Sequence, residues 1–400
     1  MCGVAGIVCL WDDASAPSLE ELGCMVGALA HRGPDAFGVY RDQHAGLGHA
    51  RLSIIDLERG QQPLANEDET LWVSFNGEIF NYIELREELM ALGHRFRTAS
   101  DTEVIVHAWE EWGTSAFQRF NGQYALALWD MAHRRLVLAR DPLGIQPLYL
   151  REHRGRLYFA SEIKALFAAE PSLPRELDPR GLAQCFTFWS VVPPQGVFAG
   201  IEELRPGTAR IYQRGLVCDF VHYQPRYPSA RFGGSIEDAT SAVRDELERA
   251  TRLRMLRADV PVGCYVSGGL DSALVASLAR AATGGRFATF SLRFEDAEYD
   301  ETPYQRLMVR ELASEHHEVM VSRRDIAEVF PEVIEHTERP VLRTAAAPLF
   351  LLSRLVRRAG IKVVLTGEGA DEMFAGYDLF REGKVRRFWA RQPHSRTRPL

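Results

Sequence analysis

With 400 residues, of which 46% are hydrophobic and 25% are charged, the chain is long enough for two or three domains. This composition excludes a largely disordered or collagen-like protein. The formal net charge of −7 argues against a nucleic-acid partner held by a general basic field. The longest apolar runs, such as Tyr124–Trp129, are far shorter than the roughly 20 residues that a membrane helix needs, so no membrane partner is expected.

The first half of the chain is rich in short strands, and capping-box patterns predict two helices among them. One helix begins after Asn81 with Glu84 three residues on, and the other begins after Ser100 with Glu103 three residues on. The helix after Asn81 is expected to end at Gly93, and the helix after Ser100 is expected to end near Gly113. The apolar face of the helix after Asn81 is predicted to comprise Tyr82, Leu85, Leu89 and Leu92. The predicted strands are Gly3–Cys9, Leu71–Phe75, Tyr124–Asp130, Arg135–Ala139 and Leu157–Ala160.

The second half alternates helices and strands, and it follows a Pro-, Gly- and Ser-rich stretch at 223–235. Such alternation predicts a parallel sheet, in which ligands bind beyond the carboxyl ends of the strands. The loops after Val266, Leu292 and Leu365 are therefore the places to examine. The predicted helices are Ile236–Leu256, Ser272–Ala281, Tyr304–Leu312 and Leu349–Ala359, and the predicted strands are Pro261–Val266, Phe287–Leu292, Glu318–Val321 and Lys362–Leu365.

The loop after Val266 has the character of a phosphate cradle. Gly268 and Gly269 allow a sharp turn whose N–H groups point at one anion, and the following helix adds its positive dipole end. The hydroxyls of Ser267 and Ser272 supply further donors. A plain glycine-rich turn, with Asp271 as a dipole partner near the helix start, is the alternative interpretation.

The loop after Leu365 carries three carboxylates, on Glu368, Asp371 and Glu372. Their mutual repulsion is relieved by a cation, and a magnesium ion that carries a polyphosphate would serve, because it takes oxygen ligands from carboxylates and phosphate. The alternative is a solvated acidic turn. The cradle and this loop are expected to meet at one edge of the sheet.

Cys2 becomes the N-terminal residue once Met1 is removed. An α-amine has a pKa near 8, so it could take the thiol proton and make Cys2 nucleophile and base in one residue. A thiol at a frayed chain end is the alternative. The small number of cysteines and the lack of a CxxC pair argue against a disulfide scaffold or a zinc ribbon. Most of the other cysteines, Cys9, Cys24, Cys185, Cys218 and Cys264, are interpreted as inert buried thiols. With no secretory pattern at the N-terminus, a cytoplasmic location is expected.

Polar residues elsewhere in the first half suit an amino-acid substrate. Arg51 could hold a carboxylate, Asn76 and Gly77 could donate to an oxyanion, and Glu78 and Asp101 could hold an ammonium group. Each also has a structural interpretation. Arg51 would form a surface ion pair, Asn76-Gly77 would form a hairpin turn, and Asp101 would serve only the helix start.

The chain resembles the glutamine-hydrolysing asparagine synthetases of the bacterial type. Motifs in the order and spacing of that family run through nearly the whole chain. They are Met1–Ile7, His31–Asp35, Arg51–Asp56, Asn76–Asn81, Ser100–Glu103, Arg140–Gly144, Ser161–Lys164, Ser267–Ser272 and Thr366–Tyr377. The resemblance implies an α+β N-terminal-nucleophile hydrolase sandwich of αββα layers over residues 2–218 and a linker at 219–235. An α/β parallel-sheet domain of the ATP-pyrophosphatase type would follow at 236–400.

The resemblance also assigns roles in the first domain. Cys2 would attack glutamine, Asn76 with Gly77 would bind the oxyanion, and Glu78 with Asp101 would bind the substrate amine. The substrate carboxylate would lie on Arg51, and the pocket would be lined by Leu52, Ser53, Ile54 and Ile55.

In the second domain the implied substrates are aspartate and ATP, with Mg²⁺ as cofactor. Glu368 would help to form and consume β-aspartyl-AMP, while Asp271 and Asp371 would bind the metal. Ammonia would pass through the protein from one site to the other, and a homodimer is neither required nor excluded. The residues that would contact ATP are Val266, Ser267, Gly268, Gly269, Asp271, Ser272, Leu292, Thr366 and Gly367.

Departures from the family pattern leave alternatives open. Gln146 stands where the family usually has lysine, and Ala273 replaces a frequent serine. The segment 339–348 lacks the acidic residues that are common in the family, and this difference leaves the specificity for aspartate open. Family members usually continue well beyond this length, so the synthetase domain is expected to be truncated. The rivals are an amidotransferase that acts on another carboxylate and a chain with only glutaminase or binding activity. His316, His317 and His336 are interpreted as structural.

Overall fold

The computed structural model describes residues 1–226 and 232–389, so residues 227–231 of the predicted linker lie outside it. The chain divides into two compact units. The first unit contains Met1–Ala239, Arg257–Val260 and Arg323–Phe350. The second unit contains Thr240–Leu256, Pro261–Ser322 and the chain from Leu351 onward.

Strands of the first unit form two antiparallel sheets of six strands each. In chain order the strands are β1 (Gly3–Cys9), β2 (Ala36–Arg41), β3 (Ala45–Arg51), β4 (Leu64–Ala65), β5 (Leu71–Ile79), β6 (Gly122–Asp130), β7 (Arg135–Arg140), β8 (Tyr149–His153), β9 (Arg156–Ala160), β10 (Glu202–Glu203), β11 (Thr208–Gln213) and β12 (Leu216–Val221). One sheet has the order β10-β8-β9-β1-β3-β2, and the other has the order β12-β11-β7-β6-β5-β4.

Both units also contain helices. In the described part of the chain they are α1 (Leu19–Ala28), α2 (Tyr82–Ala91), α3 (Asp101–Trp112), α4 (Ala116–Arg119), α5 (Ile163–Ala169), α6 (Pro179–Phe188), α7 (Ile236–Leu256), α8 (Leu270–Ala282), α9 (Thr302–Leu312), α10 (Arg323–Thr337), α11 (Ala346–Arg358), α12 (Ala370–Phe374) and α13 (Asp378–Trp389). α1 and α5 pack on the first sheet, while α2 and α3 pack on the second. None of the described helices is long and apolar enough to cross a membrane.

The period-two pattern of β6 shows why the sheets stack. Ala125, Ala127 and Trp129 point into an apolar layer shared with the first sheet. Leu126 and Leu128 point the other way, into the layer under α2 and α3. Because alternate residues of a strand lie on opposite faces, an apolar run of this kind is buried on both sides. The predicted αββα sandwich is confirmed.

The second unit holds a parallel sheet. Its strands are β13 (Val262–Tyr265), β14 (Ala288–Phe294), β15 (Glu315–Val321) and β16 (Val363–Leu365), in the order β15-β14-β13-β16. Phe290 on β14 packs against Leu352 and Val356 of α11. The predicted α/β class of this part is therefore confirmed.

Both predicted capping boxes are wrong, although both helices begin where expected. The side chain of Asn81 accepts no cap bond, because its Nδ2 donates to the carbonyl of Arg119 and its Oδ1 accepts from the N–H of Asn121 instead. Ser100 does cap α3 by accepting from the N–H of Thr102. The carboxylate of Glu103, however, accepts from N–H groups of residues 97 and 98 before the helix. Leu92 is exposed rather than buried, since α2 ends at Ala91.

Some elements escaped prediction. In the described chain the unpredicted strands are β2, β3, β4, β8, β10, β11 and β12, and the unpredicted helices are α1, α4, α5, α6, α10, α12 and α13. The segment after α10 joins the first unit through Glu338, whose carboxylate accepts from the N–H groups of Ile163 and Lys164 at 2.6 Å each. That long-range cap of α5 leaves no local sequence pattern.

Candidate active sites

Cys2 lies immediately before β1 and is held in place by its neighbours. Its Sγ accepts from the N–H of Leu52 at 3.3 Å and lies 3.6 Å from the carbonyl oxygen of Leu52. Nε of Arg32 donates to the Cys2 carbonyl at 2.8 Å. Burial raises the pKa of the Cys2 thiol, while the bond from Leu52 lowers it in part. A frayed chain end is therefore the wrong interpretation of this position.

A cavity that is open to solvent lies beside Cys2. It collects the residues predicted for the glutamine site with the exception of Ser53, which is buried next to it with its N–H donating to Asp35 at 2.8 Å. The predicted residues that line it are Cys2, Arg51, Leu52, Ile54, Ile55, Asn76, Gly77, Glu78 and Asp101.

Arg51 is buried at the end of β3, so a surface ion pair is the wrong interpretation. Its guanidinium donates to the carbonyls of the following loop, at 3.1 Å to Ile55, 2.7 Å to Asp56 and 3.2 Å to Leu57. A buried cation that satisfies three carbonyls fixes both the loop and its own position. It thus forms one charged wall of the cavity.

Asn76 and Gly77 lie inside β5, so they do not form a hairpin turn. Gly77 has φ +153°, and a Cβ at this position would lie 2.0 Å from the carbonyl oxygen of Gln123 on β6. Only glycine fits there. Nδ2 of Asn76 donates to Oε1 of Gln146 at 2.8 Å, and Gln146 also lines the cavity. Gln146 was noted only as a departure, and no local signal predicted its contact with Asn76.

Asp101 is the first residue of α3 and is completely desolvated within the cavity wall. Its Oδ2 accepts from the N–H of Ile79 at 3.0 Å. Burial raises the pKa of Asp101 to about 6, although this bond and others lower it in part. Ser100, not Asp101, caps the helix, so the carboxylate is left to face the cavity beside buried Glu78.

A buried ion cluster supports the backbone of Cys2. Oε1 of Glu162 lies 2.9 Å from Arg32 and 3.0 Å from His31, and its Oε2 lies 3.0 Å from Nζ of Lys164. Burial opposes ionisation of Glu162, but these partners prevail and lower its pKa to about 2. The cluster was not predicted as part of a site, although both of its motifs, His31–Asp35 and Ser161–Lys164, belong to the resemblance.

Replacing Glu162 by glutamine is expected to destabilise the protein by about 3 kcal/mol at pH 7, because buried Arg32 loses its counter-charge. A folded-state pKa below the ordinary value stabilises the protein above pH 4.5, and this contribution is lost as pH falls toward about 2. Urea unfolding of both proteins at pH 7 and pH 3 tests this. An equal difference at the two pH values, or none at pH 7, would refute the ion-pair assignment.

The predicted phosphate cradle lies between β13 and α8. Oγ of Ser267 and Oγ of Ser272 are 2.7 Å apart, and Oγ of Ser267 accepts from the N–H of Gly269 at 3.1 Å. The N–H of Gly268 donates to the carboxylate of Glu301 at 2.9 Å. A side-chain anion thus already uses one donor of the loop. Asp271 is the second residue of α8, and Val266 and Leu292 lie on the adjoining strand ends.

The acidic loop follows β16, which is the neighbour of β13. A Cβ on Gly367 would lie 2.9 Å from the backbone N of Ser272, so the two loops are in contact as expected. Glu368 is exposed, and its N–H lies 3.4 Å from Oγ1 of Thr366. Asp371 is the second residue of the short helix α12 and is partly buried. Asp271, Asp371 and Glu368 therefore follow two neighbouring strands at one sheet edge.

Comparison with known proteins agrees with this division of chemistry. A glutamine amidotransferase domain family matches residues 1–223, and an asparagine synthase family matches residues 242–399. Asparagine synthetase [glutamine-hydrolyzing] 1 of Bacillus subtilis is 36% identical over 385 residues, which are 96% of this chain and 60% of that protein. Asparagine synthetase [glutamine-hydrolyzing] 3 of the same organism is 31% identical over 100% of this chain and 67% of its own length.

Among solved structures, glutamine phosphoribosylpyrophosphate amidotransferase from B. subtilis matches with a TM-score of 0.43 and 16% identity, over 91% of this chain and 90% of that chain. A TM-score of this size leaves the fold assignment to the sheets described above. The matched domains define a glutamine amidotransferase joined to a synthetase part. The chain belongs to the family of glutamine-hydrolysing asparagine synthetases, and it spans about 60–67% of the length of these two relatives.

Proposed function

We propose that the protein hydrolyses glutamine in the first unit and uses the ammonia in the second to convert aspartate into asparagine with ATP. The observation that carries the first half is the cavity in which Cys2 faces a buried cation, Arg51, and a buried carboxylate, Asp101. These opposite charges suit the carboxylate and ammonium groups of a free amino acid. The second half rests on family membership and on the contact between the two loops.

In the first step, Sγ of Cys2 attacks the side-chain amide carbon of glutamine. The amine of Cys2, freed when Met1 is removed, takes the thiol proton and passes it to the departing ammonia. The oxyanion lies between Nδ2 of Asn76 and the N–H of Gly77. Water then cleaves the thioester to give glutamate. Arg51 binds the substrate carboxylate, Glu78 with Asp101 binds its ammonium, and the main chain of 52–55 walls the pocket.

Asp101 makes this step dependent on pH. Its pKa of about 6 means that the carboxylate gains a proton, and loses its attraction for ammonium, as pH falls through 6. We expect kcat/KM for glutamine to fall about tenfold for each pH unit below 6. In an Asp101→Asn variant, kcat/KM should be about 100-fold lower at pH 8 and should lack that acid limb. An unchanged acid limb in the variant would assign the titration to another group.

In the second unit, N–H groups and hydroxyls of 267–272 bind the ATP phosphates, and Thr366, Gly367, Val266 and Leu292 surround the rest of the nucleotide. The capacity of Gly268 to donate to a carboxylate supports an anion site. Asp271 and Asp371 suit Mg²⁺, because carboxylate oxygens on two touching loops match its preference for one or two carboxylates plus phosphate. Bound Mg²⁺ would neutralise the phosphate charge, and Glu368 would act on the aspartate carboxylate as β-aspartyl-AMP forms and reacts.

We further propose residues 2–218 as the glutaminase domain, 219–235 as a linker and 236–400 as the ATP-binding domain. A cytoplasmic location agrees with six free cysteines in the described chain. A homodimer is the oligomeric state that we would test first. The acceptor acid is the least constrained part, because the segment 339–348 departs from the family pattern.

The decisive experiment measures AMP release with ATP, magnesium and glutamine, with and without aspartate. Aspartate-dependent AMP supports asparagine synthesis. AMP that depends on another acid in a panel of carboxylates would favour the rival amidotransferase. If the chain releases glutamate but forms no AMP with any of the acids, its activity in this assay is that of a glutaminase alone.

A further inference from the structure

Two histidines and two glutamates of the first unit converge away from the cavity. His107 and Glu110 lie on α3, His94 follows α2, and Glu67 follows β4. Nδ1 of His107 lies 3.0 Å from Oε2 of Glu110 and 3.5 Å from Oε2 of Glu67. Nδ1 of His94 lies 3.7 Å from the same oxygen of Glu110. We call these four residues the His94–Glu110 cluster.

Three of the six separations among the four ligand atoms are close to the edge of a small tetrahedron. Ligand atoms at about 2.0–2.1 Å from a tetrahedral Zn²⁺ lie about 3.3 Å from one another. The three distances above fall around this value, and one ligand atom each from Glu67, His94 and His107 lie within 4.8 Å of one another. Two imidazoles and two carboxylates are also a donor set that suits a divalent transition metal.

The surroundings of the cluster would hold its ligands in orientation. Oε1 of Glu110 accepts from Nδ2 of Asn66 at 2.8 Å, which leaves Oε2 directed at the cluster. Nε2 of His107 has no hydrogen-bond partner among the described residues, although Oε1 of Glu103 lies 3.8 Å away. A carboxylate behind the second nitrogen of a histidine is the usual support for a metal-binding imidazole. The His107 side chain is 0% exposed and that of Glu67 is 39% exposed, so an ion can enter from the Glu67 side.

We propose that Glu67, His94, His107 and Glu110 bind a divalent transition-metal ion, with Zn²⁺ as the preferred ion. The two carboxylates neutralise the charge of the ion, and the site joins the end of α2 to α3.

A second cluster with similar spacing makes a built-in comparison. His31, Glu162 and His336 also place ligand atoms within 4.8 Å of one another. Glu162, however, already forms ion pairs with Arg32 and Lys164. These two side chains neutralise its charge, and both would repel a bound cation. We expect this second cluster to bind no zinc.

The test uses the whole chain without an affinity tag, stripped with a chelator. Zn²⁺ is titrated against a chromophoric chelator, and Co²⁺ is added separately to look for the intense visible absorption of tetrahedral coordination. We expect one Zn²⁺ per chain. His94→Gln and Glu110→Gln should each weaken binding by about 100-fold or more and abolish the cobalt bands. His31→Gln, in the second cluster, and His133→Gln, which replaces an exposed histidine paired with buried Asp130, should bind as the parent does.

Circular dichroism of each variant shows whether it is folded, and His94→Gln keeps the test valid if Glu110→Gln fails to fold, because His94 lies in a loop. No stoichiometric zinc, octahedral cobalt spectra, or equal loss in His31→Gln would each overturn the proposal. The proposal is independent of the asparagine-synthesis assignment, since none of its four ligands lines the cavity beside Cys2.

Discussion

Replacing Cys2 by alanine is expected to lower glutamine hydrolysis by at least about 10³-fold, because the only thiol at the cavity among the described residues is lost. Synthesis driven by added ammonia should persist at the parent rate, since the proposed ATP site lies in the second unit. Glutamate release and ammonia-dependent AMP formation are measured on the same preparation. The contrast between the two rates is the expected signature of separate sites.

Cys24→Ala is the matched control, because Cys24 is an exposed, free thiol on α1. This variant should retain both activities. Loss of the ammonia-dependent activity in Cys2→Ala would contradict the separation of the sites. Intact mass adds a second check, because retained Met1 would keep the amine of Cys2 in a peptide bond and remove the proposed base.

Replacing Glu368 by glutamine is expected to reduce aspartate-dependent AMP formation by at least about 10³-fold while glutamine hydrolysis continues. The substitution keeps the size of the side chain and removes its charge and basicity. Glu368 is exposed on the loop that touches the phosphate cradle, so the change should not disturb the core. AMP release and glutamate release are followed in the same reaction.

Glu372→Gln serves as the matched control, since Glu372 is an exposed acid four residues on, whose Oε1 accepts from the hydroxyl of Tyr377 at 3.0 Å. It should form AMP at close to the parent rate. Equal losses in both variants would point to the net charge of the loop rather than to Glu368. An unaltered AMP yield in Glu368→Gln would remove this residue from the proposed chemistry.

Much of the fold was accessible from local patterns. β1 and α7 have the predicted bounds, and β6 and β7 differ from prediction by two residues or fewer at each end. The parallel sheet followed from the alternation of helices and strands in the second half. These features depend on spacings of two to four residues, which the chain displays directly.

The residues of the candidate sites could be predicted only in part from the sequence, and for a different reason. Each glutamine-site residue sits in a recognisable motif, so the residue types could be listed, but their convergence could not be derived from spacing. The register of β5 on β6 places Gly77 opposite Tyr124, and that register removes the hairpin interpretation of Asn76-Gly77. Ser53 was grouped with the pocket because of its neighbours in sequence, yet its N–H faces Asp35.

By itself the sequence determined the order and type of about half of the described elements, the two fold classes and the family resemblance, because local periodicity and motif residues carry them. Tertiary structure alone decided which polar groups meet. It gave Glu162 its partners Arg32 and Lys164, joined Gln146 to Asn76, and brought Glu67 and His94 to α3. These residues lie tens of positions apart in the sequence, so their contacts depend on strand register and helix packing. Register and packing are set by burial of the whole apolar core, and no short segment of the sequence determines them.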